Sequence, residues 1–358
     1  MHNKGNERRS LGCYSLQLEP VLKGFAGASV ALATETGLSL DHNGVSVVGL
    51  DQAKTAGYGA TADFQLGLVD GKFVLTLKGR LVFKVGYGGK LTVTLDPNRL
   101  DPWMGMLHQA LVDNEYEVVD WITPEAFDGF RKLFFVQTML LVDVGMLALR
   151  GLDTLDDLYT GFTRSERAGP IAYAIVDTAS NPARARELRA WVQHLPPEAM
   201  GPLLHVLRAA PGFLGYEIEG KRYGRNEAID LQQIAIAQCL EWIEEGYTNG
   251  HYPRRAAQRL FEKAVARMSV DGEYSGAEGS GEESDNESAR RQAFGRAYCE
   301  NRYRLDQFMR VVSSTGDRDA GDARRSYKNV SQRLGQDMDT HCHFVQTPRG
   351  KEATYREP

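Results

Sequence analysis

RRAAQRLFEKAVARM, residues Arg254–Met268, decides the character of the larger part of this chain. Its apolar positions Ala257, Leu260, Phe261, Ala264, Val265 and Met268 follow one another at spacings of 3-1-3-1-3. At 3.6 residues per turn, that spacing gathers them on one face, with the charged residues on the other. The pattern predicts an amphipathic helix with its stripe in a core. Upstream, Ile229, Ile236, Leu240 and Ile243 form a second such stripe.

Helical periodicity reaches back to Asp96-Pro97, and Pro102, Pro124, Pro182, Pro197 and Pro253 each stand near an expected first turn, where a missing N–H costs nothing. Asn181-Pro182 reads as an N-cap followed by the first helical residue. Pro197-Glu198 sets a carboxylate where the helix dipole favours it.

Ahead of Asp96 the period changes from 3.6 to two. Phe73, Leu75, Leu77, Leu81, Phe83 and Val85 share one face, with Lys78, Arg80 and Lys84 on the other, as in a sheet wet on one side. Asp70-Gly71 lies between FQLGLV and KFVLTL, a hairpin signal because both turn positions want positive φ. Gly86-Tyr87-Gly88-Gly89 marks a second turn before Leu91, Val93 and Leu95. Small residues crowd Phe25–Gly37 and Ala53–Ala62; they suit either a thin covered sheet layer or a small-residue membrane segment. Asp41, His42, Asp51, Lys54 and Asp63 favour the sheet, because they interrupt every run long enough to span about 30 Å of hydrocarbon.

The expected fold class is α+β: an N-terminal antiparallel β-meander, then a mostly α-helical bundle, with a disordered acidic linker and tail. The expected divisions are a flexible lead-in over 1–12, the Ala/Gly-rich β region over 13–98 and a helical domain over 99–270. An acidic Gly/Ser/Glu linker follows over 271–288, then a terminal helix over 289–312 and a polar, weakly ordered tail over 313–358. The linker, DGEYSGAEGSGEESDNES, has too little apolar surface to offset the entropy of ordering it.

With 358 residues the chain is long enough for two cores. A formal charge of −5 and a pI near 6.0 argue against nucleic acid as main partner, since a duplex binder needs a basic face. Cys13, Cys239, Cys299 and Cys342 form no CxxC pair and read as free thiols of a reducing compartment. Met1–Gly12 is polar and lacks the apolar core of a secretory signal. The expectation is cytoplasmic synthesis, with any export using a route that reads no N-terminal signal.

Candidates for chemistry are few, and each has an ordinary alternative. Leu133–Leu149 (LFFVQTMLLVDVGMLAL) is the most hydrophobic stretch. As a helix it measures roughly 25 Å, just short of a comfortable span. Asp143 near its middle is costly in lipid unless it lines a pore, which makes it the candidate residue of a membrane segment; a central bundle helix fits as well. His341-Cys342-His343, with Asp337 and Asp339, offers metal-ligand types, but neighbouring residues cannot all face one ion, and neither metal nor cofactor is expected. Glu241, Glu244 and Glu245 would need burial to divide acid and base roles, and describe a wet helix face better. Arg254-Arg255 and Arg290-Arg291 are basic pairs open to phosphate. Gly86–Gly89 lacks the Lys-Ser/Thr of a P-loop. Serine elbows and HExxH are absent, so the reading leans away from an enzyme.

Taken in order, GFAGASVALATETGLSL (Gly24–Leu40), ATADFQLGLVDGKFVLTLKGRLVFKVGYGGKLTVTLD (Ala60–Asp96), NEYEVVDWITPEAFDGF (Asn114–Phe130), AWVQHLPPEAMGPLLHVL (Ala190–Leu207) and AIDLQQIAIAQCLEWIEEGY (Ala228–Tyr247) resemble the C-terminal region of large proteobacterial type VI secretion system effectors. The resemblance covers roughly residues 20 to 270 and brings no catalytic residue with it. It implies a toxin-like antibacterial effector, or a module derived from one, delivered into a target cell in interbacterial competition and directed at a membrane. An immunity protein and a component of the secretion apparatus would be its partners. A non-catalytic docking or scaffold module of such a system, and a cell-wall or lipid hydrolase with an unfamiliar site, are the alternatives.

Overall fold

The computed structural model describes residues 107–356 apart from 109–110, 114, 117–121, 141–151, 177–181, 275–284, 313–315 and 348–349, together with the backbone of six short strands between 32 and 94. What it describes is mostly helical, with a few short antiparallel strands.

The strands before residue 107 are β1 (Leu32–Ala33), β2 (Gly37–His42), β3 (Val45–Leu50), β4 (Ala62–Val69), β5 (Lys72–Gly79) and β6 (Gly89–Thr94). They pair antiparallel in the orders β1-β2-β3 and β4-β5-β6, with Val69 opposite Lys72. The rest of the expected region 13–98, the lead-in 1–12 and the turns at Asp70-Gly71 and Gly86–Gly88 lie outside the described residues.

The helical body begins with α1 (Pro124–Leu140), α2 (Leu152–Phe162), α3 (Ala168–Val176), α4 (Pro182–His194) and α5 (Pro197–Leu207). A small hairpin of β7 (Tyr216–Ile218) and β8 (Lys221–Tyr223) leads into α6 (Arg225–Thr248), followed by α7 (Arg254–Ala266) and α8 (Asp285–Arg310). The expected first-turn positions at Pro124, Pro182, Pro197 and Pro253 hold, each at or just before a helix start. The α8 helix starts at Asp285, ahead of the expected 289, so the end of the proposed linker is helical.

The centre of the body is α6, which packs against α3, α4, α5 and α7. Its stripe Ile229, Ile236, Leu240 and Ile243 is buried, and so is every member of the Ala257–Met268 stripe of α7. Two side-chain amides fix the ends of neighbouring helices on α6. The Gln232 Nε2 donates to Leu207 O and Ala209 O, both at 2.7 Å, at the end of α5. The Gln233 Nε2 donates to Phe308 O at 2.8 Å and Val311 O at 2.9 Å, at the end of α8. Orphan carbonyls at buried helix ends need such partners.

Two expectations are corrected here. Residues 313–358 contain α9 (Arg318–Leu334), the short α10 (Gln336–Asp339), and a hairpin of β9 (Cys342–Thr347) and β10 (Gly350–Tyr355). Ala320, Ala323, Tyr327, Val330 and Leu334 are buried, and α9 packs along α6. Their 3-4-3-4 spacing is an amphipathic stripe, hidden from a composition-based reading by the charged residues around it. Asp317 caps the helix, accepting from Asp319 N at 2.8 Å. The cysteines are not all free thiols either. Cys299 on α8 is bonded to Cys342 on β9, across 43 residues, a separation that no local spacing announces; Cys239 is a buried free thiol.

Candidate functional site

One turn of α8 apart, Tyr298, Arg302 and Asp306 form a polar stripe that faces Tyr327 and Ser331 of α9. Arg302 is buried at the centre. Its Nη1 donates to Tyr327 Oη at 2.7 Å and its Nη2 to Ser331 Oγ at 3.1 Å and Asp339 Oδ2 at 3.4 Å. Asp306 pairs with Nη1. Its Nε stands 3.3 Å from Asp339 Oδ1, within ion-pair range but without hydrogen-bond alignment. Tyr327 donates to Asp306 and Tyr298 to Asp339, each at 2.7 Å. Burial alone would lower the guanidinium's pKa, but Tyr327, Asp306 and Asp339 together raise it above its ordinary value. Burial pushes both phenols up. Gly335, between α9 and α10, makes the closure possible: a Cβ there would lie 2.5 Å from Tyr298 Oη. Chemically the cluster holds a fixed charge, with both carboxylates already engaged, and suits clamping better than proton transfer.

Beside it, on α7, Glu262 is fully buried. Its Oε2 accepts from Arg259 Nη1 at 2.9 Å, and Oε1 has no hydrogen-bond partner. Burial pushes this carboxyl up to about 7, against the pull of Arg259 and the Met338 amide and with help from Asp337. It is thus a group that changes charge near neutral pH. Arg259 and Arg255 also reach Glu115, at 3.7 and 2.6 Å. Lys263 donates to Tyr116 O at 2.8 Å. Together the three bases of α7 hold a turn in which Glu115 and Tyr116 both have positive φ, 52° and 61°, a conformation costing about 1–3 kcal/mol per residue.

A third polar group is a pair of histidines. The rings of His108 and His194 lie 4.5 Å apart. Burial lowers the pKa of both, and each is further lowered by a neighbouring imidazole, His194 for His108 and His251 for His194. His108 is buried and His194 half-buried, and both favour the neutral ring.

The residues singled out from sequence are dispersed. Asp143 lies outside the described residues; of its stretch, Leu133, Phe134, Phe135 and Val136 are buried in α1. The three carboxylates of α6 point to different neighbours: Glu241 to Ser326, Glu244 to Arg333 at 2.7 Å, and Glu245 to Arg189 at 2.7 Å. They do not converge. Cys342 is consumed by the disulfide and Asp339 by Arg302, which dismantles the metal-ligand reading of 341–343; no metal-holding group of three occurs among the described residues. Arg254 meets Gln336 and Arg255 meets Glu115. Among the described residues no helix is long and apolar enough to cross a membrane.

Sequence reasoning missed Arg302 altogether. The signal was there in the four-residue spacing of Tyr298, Arg302 and Asp306, and of Tyr327 and Ser331, which puts each set on one helical face. Neither family models, curated proteins nor solved structures give a match to this chain.

Proposed function

We propose that the chain is an antibacterial effector, or a module derived from one, of a type VI secretion system, and that its target is a membrane. The observation that carries this reading is the ordered run of effector-like segments between Gly24 and Tyr247. Two of them, Ala190–Leu207 and Ala228–Tyr247, contribute α5 and α6 to the core. The burial of Leu133–Val136 in α1 supports storage of an apolar segment inside a water-compatible fold. In the proposed architecture the N-terminal strands extend to an antiparallel β-meander over 13–98, and an immunity protein and a secretion component are the partners. The Cys299–Cys342 bond supports a working site outside a reducing cytoplasm.

A docking or scaffold role is the second reading, favoured by the engagement of Asp306, Asp339, Glu241 and Glu244 in structural contacts. Expression with a periplasmic signal, followed by a membrane-potential dye, separates the two. Rapid depolarisation is expected, with a changed response in Asp143→Leu. Unchanged potential and normal growth at confirmed expression would sink the toxin reading in favour of the scaffold.

A further inference from the structure

The end of the helical body where α5 and α8 terminate carries apolar and cationic groups that the fold does not use. Beyond α5, Phe213 is 87% exposed and Leu214 67%. Beyond α8, Val312 is 76% exposed and Val311 42%. The two segments belong to the same end because adjacent amides of α6 hold them, Gln232 through Ala209 and Gln233 through Val311. Four exposed large apolar side chains on two neighbouring loops are more than solubility asks of a surface.

Cations surround them. Arg208, at the C-cap of α5, has a buried Nε with no hydrogen-bond partner. It lies close enough to Arg304 of α8 for the two charges to repel. Arg225 opens α6 and Arg310 closes α8, both exposed. Arg208, Arg225 and Arg310 have no ion-pair partner among the described residues. Of the acids nearby, Glu300 pairs with Arg304, Glu227 accepts from the Gly224 amide at 2.7 Å and Asp306 pairs with Arg302, while Asp317 and Asp319 serve the first turn of α9. A half-buried arginine facing a second arginine lacks an anion.

We propose that this end of the molecule docks on an anionic lipid bilayer, with Phe213, Leu214, Val311 and Val312 entering the headgroup boundary and Arg208 and Arg310 meeting lipid phosphates. The inference rests on the membrane-directed reading above and names the surface that makes the first contact. Apolar tips ringed by arginine match the two components of interfacial binding, buried apolar area and attraction to anionic headgroups.

Co-sedimentation of the full chain with vesicles of phosphatidylcholine, with and without phosphatidylglycerol, tests it. Binding is expected only with phosphatidylglycerol, and weaker as salt rises. Phe213→Ser/Leu214→Ser should weaken partitioning about tenfold or more. Arg208→Gln/Arg310→Gln should weaken it roughly fivefold per arginine, with circular dichroism unchanged in both variants. The proposal is overturned if the chain ignores both vesicles, or if neither variant changes binding. It is equally overturned if the serine variant only dissolves a dimer seen by light scattering, which would make a second copy the occupant. Vesicle binding without depolarisation in cells would uphold the docking surface and defeat the toxin reading. Depolarisation that survives the serine variant would do the reverse.

Discussion

Arg302 lies over the ring of Phe261, 5.9 Å from its centre, and Glu262 follows Phe261 in the chain; both are buried, and the fold treats them in opposite ways. Arg302 is met by Asp306, Asp339, Tyr327 and Ser331 and stays charged. Glu262 is met by Arg259 and the Met338 amide, keeps one oxygen without a partner, and has its pKa pushed up to about 7. Burial alone therefore does not decide the state of an ionisable group. The number of partners aimed at it does, because each one replaces part of the lost hydration.

The largest test of that contrast is Arg302→Met. It keeps much of the volume but strands Asp306 and Asp339, and should cost about 3–5 kcal/mol in urea unfolding. A loss below about 1 kcal/mol would show that the two carboxylates simply protonate, which erases the contrast.

Cys342→Ser comes next. The disulfide joins β9 to α8 one turn before Arg302, so the covalent tie and the ionic cluster brace the same segment. For a separation of 43 residues, chain entropy sets the loss at up to about 4 kcal/mol. Reductant should destabilise the wild type by a similar amount and leave the serine variant untouched.

Glu262→Gln probes the other side of the comparison. The folded carboxyl holds its proton more tightly than the unfolded one, whose value is near 4.5. Stability therefore falls as pH rises from about 4.5 to about 7 and is level beyond. At about 1.4 kcal/mol per unit the total is about 3 kcal/mol. The glutamine variant should lose that fall. His108 and His194 work in the opposite sense: lowered in the fold from 6.5, they favour the native state above that pH and weaken it as pH drops. Thermal melts from pH 4 to 8 separate the two contributions.

The smallest effect belongs to Arg333→Ala. Its pair with Glu244 is half exposed, and its removal should change stability by at most about 0.5 kcal/mol. A loss several times larger would mean that surface pairs here behave like the buried cluster.

How much of this was legible follows from where the information resides. The stripes of α6 and α7 were readable because Ile236, Leu240, Leu260 and Phe261 are large apolar residues at helical spacing. The stripe of α9 uses Ala320, Ala323 and Tyr327 among many charges, so its composition read as tail. The cluster around Arg302 depends on contacts between residues 302, 327 and 339, which come together only when α8, α9 and α10 pack. The disulfide is equally non-local. The carboxylates of α6 did sit on a polar face, as expected, but that face is covered by partners from α4 and α9 rather than by water alone. In the N-terminal region the stretch 80–85 of the Phe73–Val85 alternation lies outside the described residues, so that part of the sequence reading has no structural counterpart.

The bond between Cys299 and Cys342 also changes how the molecule answers to force. A pull applied beyond Tyr355 is passed through β9 directly to α8, bypassing α9 and α10. Those helices then sit in a covalent loop that no tension reaches while the bond lasts. An unfoldase or a narrow translocation pore working from that side would have to pass a doubled strand of chain. In a reducing compartment the same pull would peel β10, β9, α10 and α9 away in turn, and the chain would thread singly.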